Sequence, residues 1–243
     1  MRISREHRNL CGQVVHDLGL RILSGQVRPG ESLPQEWALC DELGVSRTVV
    51  REAIKSLAAK GLVESRAKRG TIVRPVCDWN FLDPEVLAWQ AGTDPDGRYL
   101  FHLTEFRQIF EPAAAAMAAE RAGDEHLAQI RQAFAEMEEA AESVADFLEA
   151  DKRFHVAILN ATGNPLFGPV ANVISTSLEN SLRVTNRQAA DNQASLPIHR
   201  KVLDAVCNRR AQEARQAMLA LLDEAGARIR KAVEANAETG RTA

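Results

Sequence analysis

The chain has 243 residues, of which 45% are hydrophobic and 26% charged, with a formal net charge of −3. That length allows two domains with separate cores. The four cysteines are scattered without a Cys-x-x-Cys pair, so the sequence suggests neither a zinc ribbon nor a disulfide framework, and free thiols fit a reducing compartment. No apolar run reaches the roughly 20 residues that span a bilayer, and residues 1–20 are too charged for a signal peptide. We therefore expect a cytoplasmic protein with no membrane partner.

The charge is divided unevenly along the chain. Residues 1–75 carry 13 Lys and Arg against 8 Asp and Glu, net +5, whereas residues 76–243 carry 17 against 25, net −8. We call the basic residues 1–75 the head and the acidic residues 76–243 the body. This division of charge indicates a nucleic-acid partner for the head alone.

Three helices are predicted at about residues 8–24, 35–43 and 47–60. Gly44 allows a tight turn before the third helix, Ser46 is a good N-cap for it, and Gly61 supplies a left-handed residue after its end. At about 100° per residue, its apolar face lies beside a basic stripe made of Arg47, Arg51 and Lys55.

A basic hairpin is predicted next, with strands at residues 62–65 and 71–74 and a turn at Arg66-Ala67-Lys68-Arg69-Gly70. A basic stripe alone is more often a solvated surface than a DNA contact. The order of helices, tight turn, capped basic helix and basic hairpin indicates a winged helix-turn-helix that binds DNA.

These residues carry a family resemblance. The runs Pro29-Gly30, Leu33-Pro34, Leu43-Gly44-Val45-Ser46-Arg47-Thr48, Val50-Arg51-Glu52-Ala53, Gly61-Leu62-Val63 and Gly70-Thr71 resemble the winged helix-turn-helix of GntR-type bacterial transcription regulators. The resemblance implies that the third helix and the wing contact the DNA. The predicted DNA-binding residues are Ser46, Arg47, Thr48, Arg51, Lys55, Lys68, Arg69 and Gly70. The chain departs from the family at Trp37, where some members place a DNA-contacting arginine.

The DNA-binding domain is expected over residues 1–76 and a structured connector over residues 77–97. Pro75 blocks further strand pairing, and Asp83 with Pro84 starts a short helix. We expect the connector's aromatic residues, such as Trp79 and Trp89, to dock on a domain rather than bind a ligand.

From residue 98 onwards the Ala-rich periodicity predicts only helices, at about residues 99–121, 124–142, 145–161, 165–187, 197–209 and 211–236. An all-helical bundle should therefore fill residues 98–236, followed by a frayed tail at residues 237–243. The predicted fold class is mainly α, with three helices and a β-hairpin wing in the first domain.

Within the bundle, Asp151 and His155 lie four residues apart on one helix and can reach the same divalent cation, with His199 as a natural third ligand. By spacing alone this is a weak signal, because such pairs are commonly surface hydrogen bonds.

The region also resembles the FCD ligand-binding domain of the FadR subfamily, in the runs Glu105-Phe106-Arg107, Phe110-Glu111-Pro112, Phe154-His155, Gly163-Asn164-Pro165-Leu166 and Leu203-Asp204-Ala205-Val206. The resemblance implies a homodimer and a metal held by Asp151, His155, His199 and a fourth histidine. That fourth position is Leu221 here. Three ligands could still hold a divalent ion, zinc foremost, or the same residues could bind a polyol without metal.

Arg107 lies in an otherwise apolar helix and needs a carboxylate partner, either Glu111 or Glu105 within the chain or an effector's carboxylate. In FCD domains an arginine here faces the ligand cavity. The connector resembles the galactonate-responsive branch, and the polar run at residues 175–188 favours a sugar acid over a fatty-acyl effector. The expected effector-binding residues are Arg107, Asp151, His155, Asn180, Arg183 and His199.

The predicted function is a repressor, not an enzyme, that binds double-stranded operator DNA as a homodimer and is released by a small carboxylate effector, a sugar acid such as galactonate. Three alternatives stay open: a metal-dependent enzyme built on the Asp/His/His set, a regulator that responds to a non-sugar carboxylate, and a DNA binder that ignores small molecules. No general base or nucleophile accompanies the three ligands in the sequence, which argues against the enzyme.

Overall fold

The computed structural model of the chain describes residues 5–94, 97–185 and 188–240, apart from the side chains of residues 5–9, 183 and 236–240. The chain forms two compact units that divide between Thr93 and Asp94. The first carries a helix-turn-helix and a two-stranded hairpin, and the second is helical throughout its regular elements. The predicted mainly α fold, with a winged head followed by a helical bundle, is confirmed.

In the first unit, the local signals place the elements where the sequence predicts them. Ser46 accepts a hydrogen bond from the backbone N–H of Val49, and both Gly44 and Gly61 adopt positive φ angles, +64° and +75°. The hairpin is antiparallel and pairs Val63 with Val73. The elements are α1 Arg5–Leu23, α2 Glu36–Leu43, α3 Arg47–Ala59, β1 Val63–Arg66, β2 Gly70–Val73, a 3-10 turn Val76–Asp78 and α4 Pro84–Gly92.

The connector helix α4 packs on α1 within this first unit. The indole N–H of Trp89 donates to Nδ1 of His16 at 2.8 Å. A Cβ on Gly19 would lie 2.5 Å from the same indole ring, so the ring occupies space that only a glycine leaves free. At the start of α4, Asp83 caps the helix and pairs with Lys60 at 2.8 Å.

The second unit is a bundle whose core is made of aromatic and aliphatic side chains. Its elements are α5 Arg98–Arg121, α6 Asp124–Glu139, α7 Val144–Asn160, a 3-10 turn Pro165–Phe167, α8 Gly168–Thr185, α9 Ala189–Cys207 and α10 Ala211–Gly240. Helix α5 packs against α10, α9, α8 and α7, so the middle of α5 lies inside the bundle. Four of its alanines, Ala114, Ala115, Ala118 and Ala119, are fully buried and let neighbouring helices approach closely.

Four helix bounds in this unit differ from the prediction by three residues or more. Helix α6 ends at Glu139 and not at 142, α8 begins at Gly168 and not at 165, and the start of α9 and the end of α10 differ further. A start for α9 at Pro197 is wrong: the helix begins at Ala189, and Pro197 lies inside it. Because proline has no backbone N–H, the carbonyl four residues before Pro197 loses its helical hydrogen bond. The side chain of Asn192 anchors the first turns of α9 by donating to the carbonyl of Ala141 at 3.1 Å. Helix α10 continues to Gly240, through most of the segment expected to fray, and residues 241–243 lie outside the described part of the chain.

Candidate functional site

The first candidate surface is the exposed side of α3. Its apolar face is buried in the first unit, at Val49, Val50, Ala53, Ile54 and Leu57. Arg47, Thr48, Arg51 and Lys55 are exposed on the other side. The side chains of Arg51 and Lys55 keep 68% and 71% of their area in solvent and make only surface ion pairs, with Glu36 at 3.8 Å and Glu52 at 2.8 Å. Surface pairs of this kind contribute about 1 kcal/mol or less, so both cations remain available to a polyanion.

The hairpin carries the remaining predicted DNA contacts at its tip. Lys68 and Arg69 are exposed, and Gly70 follows them as the first residue of β2. Lys68 adopts φ = 65° and Gly70 φ = 80°, a left-handed pair of positions that turns the chain sharply and presents the basic side chains outward. The eight residues predicted to bind DNA therefore lie on α3, at its cap and on this tip.

The second candidate site is a buried cluster in the helical unit. Asp151 and His155 on α7 meet His199 on α9, and each side chain is at most 4% exposed. Nε2 of His155 lies 3.3 Å from Oδ1 of Asp151, and Nε2 of His199 lies 3.2 Å from the same oxygen. One ligand atom from each residue falls within 4.8 Å of the others, a spacing that could hold a metal ion.

The other nitrogen of each imidazole is occupied. Nδ1 of His199 lies 2.8 Å from the carbonyl oxygen of Ser195, one turn earlier, and must donate to it. Nδ1 of His155 contacts the carboxylate of Glu111 on α5. Both rings thus turn Nε2 toward Asp151, which is the orientation that outer hydrogen bonds impose on metal-binding histidines.

Glu111 links this cluster to Arg107. The two residues are one turn apart on α5, both are at most 5% exposed, and the guanidinium Nε contacts Oε1 of Glu111 while Oε2 contacts His155. Of the two internal partners that the sequence allows for Arg107, the structure selects Glu111. Glu111 also contacts His155, a second role that was not predicted from the sequence. The available signal was a carboxylate one turn from a buried arginine on an alanine-rich helix.

The protonation states follow from this packing. Burial by itself raises the pKa of Glu111, but Arg107 and His155 reverse this and lower it to about 2. Burial of Asp151 is likewise outweighed by hydrogen bonds from His155 and His199, which hold its pKa well below the usual range. Burial alone lowers the pKa of His155, yet the charge of Glu111 and hydrogen bonds to Asp151 and Glu111 raise it to about 9. Without a metal, His155 is therefore protonated at neutral pH.

The remaining expected effector residues lie on α8. The amide of Asn180 is half-buried and donates to the carbonyl of Thr176 at 2.7 Å. The side chain of Arg183 lies outside the described residues. On the same helix, the hydroxyl of Ser177 is fully buried and has no hydrogen-bond partner among the described residues.

Two protein-family profiles match the two parts of the chain that carry these candidate sites. The profile of the FCD domain matches residues 102–224, and that of bacterial regulatory proteins of the gntR family matches residues 10–73. The galactonate operon transcriptional repressor of Escherichia coli strain K12 is 36% identical over 225 residues, which cover 92% of this chain and 98% of that protein. The chain belongs to the GntR family of bacterial transcription regulators.

One further relative supports this assignment, and one solved structure shows the same fold. YieP, an uncharacterized HTH-type transcriptional regulator of the same Escherichia coli strain, is 34% identical over 88% of this chain and 93% of its own length. The solved structure of Lar from Listeria monocytogenes superposes with a TM-score of 0.65 at 20% identity, over 95% of this chain and 99% of that one, which shows a shared fold. These families and relatives are transcription regulators, so this GntR-family chain is a regulator and not an enzyme.

Within the FCD domain, the chain departs from the four-ligand set at Leu221. That side chain is 4% exposed and packs in the apolar core together with Met218 and Ala214. It offers no donor atom, so the described candidate set consists of Asp151, His155 and His199. No helix in the described ranges is both long and apolar enough to cross a membrane.

Proposed function

We propose that this GntR-family regulator is a repressor whose operator affinity is controlled by a small carboxylate effector, a sugar acid such as galactonate, that binds in the helical unit. The observation that carries the proposal is the buried cluster of Arg107, Glu111, Asp151, His155 and His199. Burying charges costs several kcal/mol for each ion, and a bundle of this size could be filled with apolar side chains instead. We therefore infer that these charged groups are buried because they bind a ligand.

A divalent metal fits the donor set. Asp151, His155 and His199 would hold it through one carboxylate oxygen and two Nε2 atoms, a combination suited to zinc. When bound, the ion would supply a Lewis-acidic anchor for a carboxylate and a neighbouring hydroxyl of the effector. Because Leu221 leaves only three protein ligands, the metal-free alternative is direct hydrogen bonding of a polyol by the same three side chains.

Arg107 supplies recognition of the effector's carboxylate. Its guanidinium has five N–H donors, and the contact with Glu111 involves Nε. An incoming carboxylate would therefore compete with Glu111 or bind beside it. The unpartnered hydroxyl of Ser177 supports a polyhydroxylated ligand, because leaving a buried hydroxyl unsatisfied costs about 1–3 kcal/mol. The name of the 36% identical relative, a galactonate operon repressor, favours galactonate within this class.

Repression would require two heads on one operator. We expect a homodimer whose α3 helices enter the major groove at two half-sites, with phosphates contacted by the basic hairpin tips. Effector binding would shift the population between two arrangements of the heads that differ in operator affinity. The effector lowers affinity only to the extent that it binds the low-affinity arrangement more tightly.

A thermal-shift screen tests the effector class. Full-length protein is heated with D-galactonate, other hexonates and hexuronates, and with galactose as a neutral control. At one hundred times its Kd, a true effector stabilises by about 2.7 kcal/mol, which raises the melting temperature by several degrees. Galactonate should also release a duplex of the chain's own promoter region in a gel shift. No response to any sugar acid would reject this class of effector.

Variants locate the site. Arg107→Met and His155→Gln should abolish the galactonate response, whereas Arg153→Gln should keep it, because Arg153 lies on the same α7 as His155 but is 55% exposed. An equal response in all three variants would place the effector elsewhere.

A further inference from the structure

Trp37 is a tryptophan on the surface. It lies in α2 with 60% of its area exposed, whereas Trp79 and Trp89, the other two tryptophans of the chain, are 9% and 4% exposed. Leu39, two residues later, is completely buried. Since a helix turns by about 100° per residue, Trp37 lies on the side of α2 opposite the core residue Leu39.

The start of α2 lies between the two elements assigned to DNA. The carboxylate of Glu36 is 3.8 Å from Nε of Arg51 on α3. A Cβ on Gly70, at the hairpin tip, would lie 3.9 Å from the side-chain amide of Gln35. Residues 35 and 36 therefore face both the recognition helix and the wing, and Trp37 follows them directly.

The charge around this position identifies the kind of partner. The helix of Trp37 itself carries three exposed carboxylates, those of Glu36, Asp41 and Glu42. The exposed cations of the neighbouring α3 and hairpin tip, Arg47, Arg51, Lys55, Lys68 and Arg69, outnumber them, and residues 1–75 carry a net charge of +5. Such a surface suits a polyanion and would repel an ordinary basic protein surface. An aromatic ring on it can pack on deoxyribose, on a thymine methyl or on an unstacked base, and the indole N–H can donate to a phosphate oxygen.

We propose that Trp37 contacts DNA through its indole ring and contributes an apolar, salt-independent part of operator affinity. The proposal rests on the DNA-binding role of the first unit. An arginine at this position would gain affinity by releasing counterions, whereas a tryptophan gains it by burying ring area.

The experiment measures the affinity of full-length protein for two duplexes, the chain's own promoter region and a random sequence of equal length, over a series of KCl concentrations. Trp37→Ala should weaken promoter binding by about tenfold without changing the slope of log affinity against log salt. Trp37→Phe should retain most of the affinity. Trp37→Arg should steepen the slope by about 0.9 for each head. Leu82→Ala, at another exposed apolar residue, is the matched control and should bind like the unsubstituted chain.

Fluorescence gives an independent measurement, because Trp37 is the exposed tryptophan of the three. Saturating promoter duplex should shift the emission to shorter wavelength and protect it from acrylamide, and Trp37→Phe should lose both effects. Unchanged promoter affinity in Trp37→Ala together with unchanged emission would overturn the contact while leaving DNA binding intact. Binding of neither duplex by the unsubstituted chain would reject the contact and the operator function together. Loss of dimer mass in Trp37→Ala, by light scattering, would assign the ring to self-association and also overturn the proposal.

Discussion

In the first unit, the side chains of Arg51 and Lys55 keep 68% and 71% of their area in solvent, whereas in the second unit those of Arg107 and His155 keep 5% and 2%. The exposed cations interact weakly with neighbouring carboxylates and are ready for an external partner. The buried ones satisfy each other through Glu111 and Asp151. The basic side chains of α3 would therefore exchange only weak surface ion pairs on binding DNA, whereas a carboxylate entering the helical unit would meet an internal ion network.

The largest expected effect is on the stability of the second unit. Glu111→Gln should lower the free energy of unfolding by about 3–5 kcal/mol, because it leaves the Arg107 guanidinium buried without its counter-charge. The measurement is denaturant unfolding of metal-free protein. Glu105→Gln on the exposed side of the same helix is the control and should change stability by about 0.5 kcal/mol or less. If Glu111→Gln lost no more unfolding free energy than Glu105→Gln, the buried ion pair of Arg107 and Glu111 would not stabilise the second unit.

The next effect is a pH dependence of the metal-free protein. The folded-state pKa of His155 is raised from 6.5 to about 9, so its contribution is fully present below pH 6.5 and is lost as the pH rises through 9. The shift corresponds to about 3 kcal/mol. The pKa of Glu111 is lowered to about 2, so its contribution is present above pH 4.5 and is lost as the pH falls toward 2. Melting temperatures in chelator should decline on both sides, and His155→Gln should flatten the alkaline decline. If the alkaline decline in melting temperature were identical in His155→Gln, His155 would not be its cause.

Metal content is the third test. Protein purified without chelator should carry about one zinc for each chain, and a chelator should lower its stability by about 2–3 kcal/mol through mass action. His155→Ala should carry none. His102→Ala, at an exposed histidine of α5, should carry as much as the unsubstituted chain. Equal metal content in both variants would show that the metal does not bind at the proposed site. Direct binding of a polyol by the same side chains would then be the remaining alternative.

The smallest expected effect concerns the head. Arg51→Ala should weaken binding to the promoter duplex by about 1–3 kcal/mol and leave the stability of the protein almost unchanged, because the side chain is exposed. A gel shift at moderate salt and a thermal melt measure the two quantities. Arg131→Ala, at an exposed arginine of α6, is the control. Equal promoter affinity in Arg51→Ala and the control would reject the assignment of α3 as the recognition helix.

The head was largely predictable from the sequence because its signals are local. Ser46, Gly44 and Gly61 mark the ends of helices by capping and by positive φ, and both can be recognised from neighbouring residues. In the second unit, local signals were less reliable. Pro197 suggested a helix start, yet α9 begins eight residues earlier, at Ala189, where Asn192 contacts the carbonyl of Ala141. A helix boundary is a local property only where no distant contact overrides it.

Composition and helical periodicity were enough to predict the charge division, the winged head, the all-helical body and the spacing that puts Asp151 and His155 on one face of α7. That Glu111 on α5 joins Arg107 to His155, and that both histidines turn Nε2 toward Asp151, depends on how the helices pack. The physical reason is that a buried charge takes its partner from whichever helix packs nearest. Helices adjacent in a bundle can be far apart in the chain.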